Sequence, residues 1–245
     1  MGKIEDGYVR GLVGSVISRR VGNLNVLQGH PQFRVKQTEA TKAAGADFGT
    51  ASRCARIIRH TYWPLILDYH DSGMINRLNA QVLRAMRANR RQQAGTMRLA
   101  AGKLHRLVDF QFNVKCHLQD YLFVDIEVGY TPSGGLDVIL PAFHSERDLR
   151  WSGGVTHCGI QLLAVAFDFE HNARHRIGRR EYVIPLRTQE KEVPQQHWHF
   201  DVAEPAGTVI LVGLSLEFRY GKGQRFHLLN DKELHPAAIV GAFVA

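Results

Sequence analysis

No run of apolar residues in this chain is long enough to cross a bilayer, no two cysteines stand at metal-ligand spacing, and no nucleophile sits in a catalytic motif. The longest apolar stretch, Val209-Ile210-Leu211-Val212-Gly213-Leu214, falls far short of the roughly 20 residues a membrane-crossing helix needs. The N-terminus, MGKIEDGYVRGLVGSVISRR, carries acids, bases and glycines where a signal peptide needs an unbroken apolar core. The expected location is therefore the cytoplasm, with any exit by lysis or a dedicated export machine, and no membrane partner.

Cysteine is scarce: Cys54, Cys116 and Cys158, widely spaced and odd in number. That pattern fits neither a disulfide framework nor a cysteine zinc site and favours reduced, mostly buried thiols. G-x-S-x-G, H-E-x-x-H and the Walker loop are all missing. The glycine pairs Gly153-Gly154 and Gly221/Gly223 lack the strand-loop-helix setting that cradles phosphate, and read as turns. Glu181 and Asp168 are carboxylates that sequence alone does not bring into one cleft. The expectation is a non-enzymatic protein with no metal, no cofactor and no identified small-molecule substrate.

What is present is divided by charge. Residues 1–106 hold 18 Lys and Arg against 6 Asp and Glu, whereas residues 107–245 hold 13 against 17. A chain split in this way meets a polyanion with one end, or meets its own copies head to tail.

The periodicity changes near the same point. Tyr8–Ile17 and Leu24–Leu27 read as two strands around a Gly22-Asn23 turn, a hairpin arm (1–36) too small to be stable alone. Helical signals begin near Thr38; Glu39–Arg59 is one helix, broken or kinked at Pro64. A second helix is predicted from about Ser72 to Asn89, capped by Asp71 or Ser72, with Leu78, Val82, Ala85 and Met86 on one face. A third is predicted over Thr96–Arg106, which completes a basic helical domain (37–106).

From Leu107 the pattern alternates. Val108, Phe110, Phe112, Val114 and Cys116 alternate with polar residues; Leu122–Val128, Leu136–Leu140, Trp198–Val202 and Ile210–Tyr220 repeat this. Val155–Phe169 is apolar on both faces and predicts a central strand. The expected fold is α+β: a hairpin arm and helical bundle followed by an antiparallel β-sandwich (107–245).

Three stretches carry a family likeness: GADFGTASRCARIIRHTYWPLILDYHDSGMINRLNAQVLRAM (45–86), SGGVTHCGIQLLAVAFDFE (152–170) and VGLSLEFRY (212–220), behind a glycine-bearing N-terminal hairpin. With these the chain resembles a family of uncharacterised proteins widespread in Bacteroidota-type bacteria. The resemblance implies a helical front and a β-rich back, and brings no activity or ligand with it.

Histidine, with 13 copies, supplies the candidate metal ligands. His171 and His175 would share one helix face, and His197 and His199 one strand face. The first pair lies in a basic loop, HNARHRIGRR, with Glu170 as its near acid. The second has Asp201, and its spacing also follows if Trp198, Phe200 and Val202 face the core while His197, His199 and Asp201 face water. The incidental reading is favoured for both.

Arginine is the more unusual feature: 23 of the 31 basic residues. Arg84, Arg87 and Arg91 fall at helical spacing, extended by Arg90 and Arg98; Arg53, Arg56 and Arg59 form a second row. A plain solvated face is the alternative. With so few acids nearby, these rows suit a phosphate backbone or the acidic half of another copy. The expected function is self-association into a ring, tube or filament through the arm (Tyr8, Leu12, Val16, Leu24, Val26) and complementary charged faces. The alternative is RNA or DNA backbone binding by the arginine rows.

Overall fold

The structure, a computed structural model, describes residues 2–5, 7–21, 23–30, 36–133, 135–222 and 225–245. The chain forms two compact units, residues 1–42 and 43–245, and combines several antiparallel sheets with few helices.

The first unit is a four-stranded antiparallel meander: β1 (Lys3–Glu5), β2 (Tyr8–Val13), β3 (Val16–Val21) and β4 (Leu24–Gly29), paired in that order. The strand expected over Tyr8–Ile17 is broken in two. Gly14 adopts φ 58°, a left-handed conformation that glycine takes without steric cost, and Val13 pairs with Val16 across the resulting tight turn. The expected Gly22-Asn23 turn falls between Val21 and Leu24, which pair; its Gly22 lies outside the described residues. Only Ser18 is buried among the unit's described residues. Its hydroxyl donates to Val9 O at 2.6 Å and bonds Asn25 Oδ1 at 3.0 Å.

The second unit begins on α1 (Glu39–Thr61). Thr38 Oγ1 accepts from Thr41 N at 3.2 Å, supplying the N-cap bond. Pro64 falls within the short α2 (Trp63–Ile66), after which Leu67 and Asp68 turn left-handed. α3 covers Met74–Arg87, with Leu78, Val82, Ala85 and Met86 buried. Asp71 accepts from Gly73 N just before it and pairs with Arg77.

The helix expected over Thr96–Arg106 does not form; turns lead into a short 3-10 helix at Leu104–Leu107. Its backbone donors find other acceptors. The buried carboxylate of Asp47 accepts from Gly95 N and Met97 N, and Ala85 O from Lys103 N.

The strand expected over Val108–Cys116 is likewise absent, reduced to one bridge between Gln111 and Ala238. Asp109 at φ 64° breaks the extension, and Gln111 and Asn113 are buried beside Phe110 and Phe112 while Val114 is exposed, so the expected alternation fails. Leu122 makes one bridge, to Leu149, and regular pairing waits until Glu127.

The later strands are β5 (Glu127–Thr131), β6 (Gly135–Leu140), β7 (Phe143–His144), β8 (His157–Asp168), β9 (Ala173–Pro185), β10 (Glu192–Val193), β11 (Gln196–Phe200), β12 (Val209–Lys222), β13 (Arg225–Leu228) and β14 (Ala237–Val244). In the main sheet β12 lies between β8 on one side and β14, then β13, on the other; β9 follows β8 at the edge. β11, β6 and β5 form a second sheet, and β7 and β10 a short pair.

β8 is buried on both faces, as its unbroken apolar run predicts. Leu163, Val165 and Phe167 join Val209, Leu211 and Ile239 in a core with α1–α3. Ile160, Leu162 and Ala164 join Leu214 and Leu216 in a core with Leu136, Val138 and Leu140 of β6. The helix-side contact is close: a Cβ on Gly213 would lie 2.5 Å from the Tyr62 ring. The Tyr62 hydroxyl donates to Leu211 O at 2.6 Å, tying α2 to the sheet.

Candidate functional site

The arginine rows follow from how the helices bury their apolar faces. Ala51, Cys54, Ala55, Ile57 and Ile58 turn into the core, which leaves Arg53 and Arg56 exposed and Arg59 half-buried. On α3 the buried stripe leaves Arg84 and Arg87 outward. The row does not reach Arg91: α3 stops at Arg87, and Arg90 and Arg91 lie in the following turn, where Asn89 Oδ1 caps Arg91 N at 3.1 Å. Arg98 is paired, 2.6 Å from Glu170. Among the described residues, no acid lies within ion-pair distance of Arg53, Arg56, Arg59, Arg84, Arg87, Arg90 or Arg91.

Arg53 and Arg98 meet at a cleft of about 850 Å³ between α1, the 96–101 turn, the β8–β9 turn and the 205–208 turn. Met97, Leu99 and Phe169 line its apolar side, and Asp168, Glu170 and His171 part of its polar side. His171 Nδ1 lies 2.6 Å from Asp168 Oδ2, and Asp168 Oδ1 accepts from the backbone N–H groups of Glu170 and His171. The His171 bond holds the Asp168 carboxyl below its usual range and raises the imidazole's pKa. Cys54 also lines the cleft; burial pushes its thiol up to about 11, which disfavours the thiolate.

The paired histidines separate. His171 caps a turn, whereas His175 on β9 bonds Glu204 at 2.7 Å. His197 and His199 do share the exposed face of β11, and both rings bond one oxygen of Asp137, at 2.8 and 2.9 Å. Asp201 is 3.5 Å from the far nitrogen of His199. The hydrogen bond to Asp137 raises the His199 pKa, and the two imidazoles lower that of Asp137. Asp137 was missed in the sequence. Its position between Leu136 and Val138 marks it as outward-facing, but only the pairing of β6 with β11 sets it opposite His199. Among the described residues, no group of three or more His, Cys, Asp or Glu side chains is arranged to hold a metal ion.

Glu181 and Asp168 do not meet. Glu181 lies opposite Gln161, far along β8 from Asp168, and accepts from Arg219 at 2.5 Å. Arg219 also pairs with Glu217. The three thiols are buried and unpaired; Cys158 is pushed up to about 12 by burial.

The N-terminal sheet carries the arm residues. Tyr8 is half-buried beneath the Arg20 guanidinium, 4.8 Å from its ring centre. Val16 and Val26 are half-buried, and Leu12 and Leu24 exposed. Ile4 and Leu27, which sequence reading passed over, are 80% and 69% exposed, alongside Leu24 at 70%. β4 pairs only with β3 among the described residues and has no ionisable side chain.

Set against protein-family models, curated proteins and solved structures, the chain matches none. No helix among the described residues is long and apolar enough to cross a membrane.

Proposed function

We propose that this is a non-enzymatic structural protein whose copies associate through the N-terminal sheet. The observation that carries the reading is β4: an edge strand without charge, exposing Leu24 and Leu27 in a unit that buries only Ser18 among its described residues. Unpaired backbone donors and acceptors on such an edge template another strand. A second copy is the favoured occupant because an uncharged strand pairs with itself antiparallel without repulsion. β1, at the other edge, is three residues long and carries Lys3 and Glu5.

A β4–β4 contact is self-complementary and closes as a dimer. Growth into a ring, tube or filament needs a second contact, supplied by the exposed arginines of α1 and α3 against the acidic half of the next copy. The body that presents these faces is read as an antiparallel β-sandwich backed by a helical layer; the core shared by β6, β8 and β12 supports this. The likeness to the Bacteroidota family rests on the three stretches quoted above and adds no activity.

Light scattering across a dilution series, with negative-stain imaging, tests the reading. Concentration-dependent growth that is lost in a Leu24→Lys/Leu27→Lys variant is expected; a wild-type chain that stays monomeric at every concentration overturns it. A second reading, binding of RNA or DNA backbone, is favoured by the arginines that have no acid partner among the described residues. It predicts affinity that falls steeply with salt in a filter-binding titration.

A further inference from the structure

The cleft beside Arg53 lies wholly within residues 43–245, whereas β4 belongs to residues 1–42. Its volume, about 850 Å³, is that of a site for a small organic ligand. Both of its carboxylates are already engaged: Asp168 by His171 and two backbone N–H groups, Glu170 by Arg98. Among the described residues Arg53 has no acid partner, and Arg98 pairs with Glu170 through one terminal nitrogen; His171 faces Asp168 with Nδ1, and in its protonated form offers Nε2–H to another acceptor. The charged donors left open are therefore those of Arg53 and Arg98, joined by His171 when it is protonated.

The rest of the lining is mixed: Thr50, Thr96 and Thr208 are polar, and one side is apolar. Phe169 lies parallel to Phe167, with ring centres 5.3 Å apart and planes at 2°, which fixes its orientation. Met97 and Leu99 complete that side. Cationic donors beside a fixed aromatic and aliphatic surface recognise a ligand with an anionic end and a flat apolar body. We infer that this cleft binds a small organic anion, a phosphate or carboxylate carried on an aromatic ring.

Isothermal titration calorimetry of the full chain with phenyl phosphate, benzoate, inorganic phosphate and benzylamine tests the inference. Saturable binding of phenyl phosphate or benzoate is expected, whichever is tighter identifying the anionic group. Inorganic phosphate should bind more weakly by about tenfold, for want of the apolar contact, and benzylamine should not bind.

Arg53→Gln should weaken the aromatic anion by about tenfold or more, through loss of a charge-assisted hydrogen bond. Arg53 is exposed and makes no ion pair among the described residues, so the variant should fold normally. Ala206→Trp, at an exposed position of the lining, should block the cleft independently. Absence of saturable heat with both aromatic anions overturns the inference, as does binding left unchanged by both variants. Neither result bears on association through β4, because the cleft and β4 lie in different units.

Discussion

β4 and β9 both end an antiparallel sheet, and their sequences treat that position in opposite ways. β9, 13 residues long, sets Arg174, His175, Arg176, Arg179 and Arg180 along the rim of the main sheet, all exposed. Two copies of such a rim repel each other, a common way in which a protein keeps a long edge from pairing with its neighbours. β4, LNVLQG, carries no such guard, and the sheet behind it has almost no interior. One edge carries a row of positive charge and the other carries none. The same chain supplies both solutions, so the bareness of β4 is a local property, not a general poverty of charge.

The two units should respond most differently to loss of an apolar side chain. Phe167→Ala removes a fully buried ring from the body and should cost about 3–5 kcal/mol in urea denaturation. Leu27→Ala, on the exposed arm, should change body stability by less than about 0.5 kcal/mol while weakening association.

A charge exchange tests the edges directly. Leu24→Lys/Leu27→Lys should reduce the association constant by about tenfold or more, whereas Arg176→Thr/Arg179→Thr on β9 should increase self-association, both read by sedimentation. A more modest effect is expected inside the arm. Ser18→Ala removes the hydroxyl bonded to Val9 and Asn25, and should loosen the sheet by about 1 kcal/mol, seen as faster amide exchange in residues 8–28.

The smallest effect belongs to the Asp137 cluster on β6 and β11. His199 has a raised pKa, so the stability it contributes is complete below its usual 6.5 and is lost as pH rises through the raised value. Asp137 has a lowered pKa, so its contribution is present above the usual 3.8 and is lost as pH falls through the lowered value. The pairing is therefore strongest between these limits. NMR titration should place the His199 midpoint above 6.5, and Asp137→Asn should return it toward that value. An unchanged midpoint would show that Asp137 is not the cause.

Where the sequence was legible, one interaction dominated. The stripe of Leu78, Val82, Ala85 and Met86 fixes the buried face of α3, and the apolar run of β8 fixes its burial on both sides, because burial alone sets those patterns. Residues 96–116 were misread because their conformation depends on groups distant in sequence. Asp47 draws two backbone donors out of a helical path, and β14 accepts only a few bonds from the segment around Phe112.

The site divided along the same line. Helical spacing put Arg53, Arg56, Arg84 and Arg87 outside correctly. The ion pair of Arg98 with Glu170, the halt of α3 before Arg91 and the meeting of Asp137 with two histidines all required the fold.

β8 has one more consequence. Its odd-numbered residues near the centre belong to the core shared with the helices, and its even-numbered residues to the core shared with β6. Neither core can melt while the other keeps β8 in place, so the body should unfold as one cooperative event. Trp63, on α2, and Trp198, packed against the core that holds β6, stand on opposite sides of that strand. Fluorescence from either tryptophan alone, with the others replaced by Phe, should report the same transition midpoint. Two separate midpoints would show that β8 does not couple them.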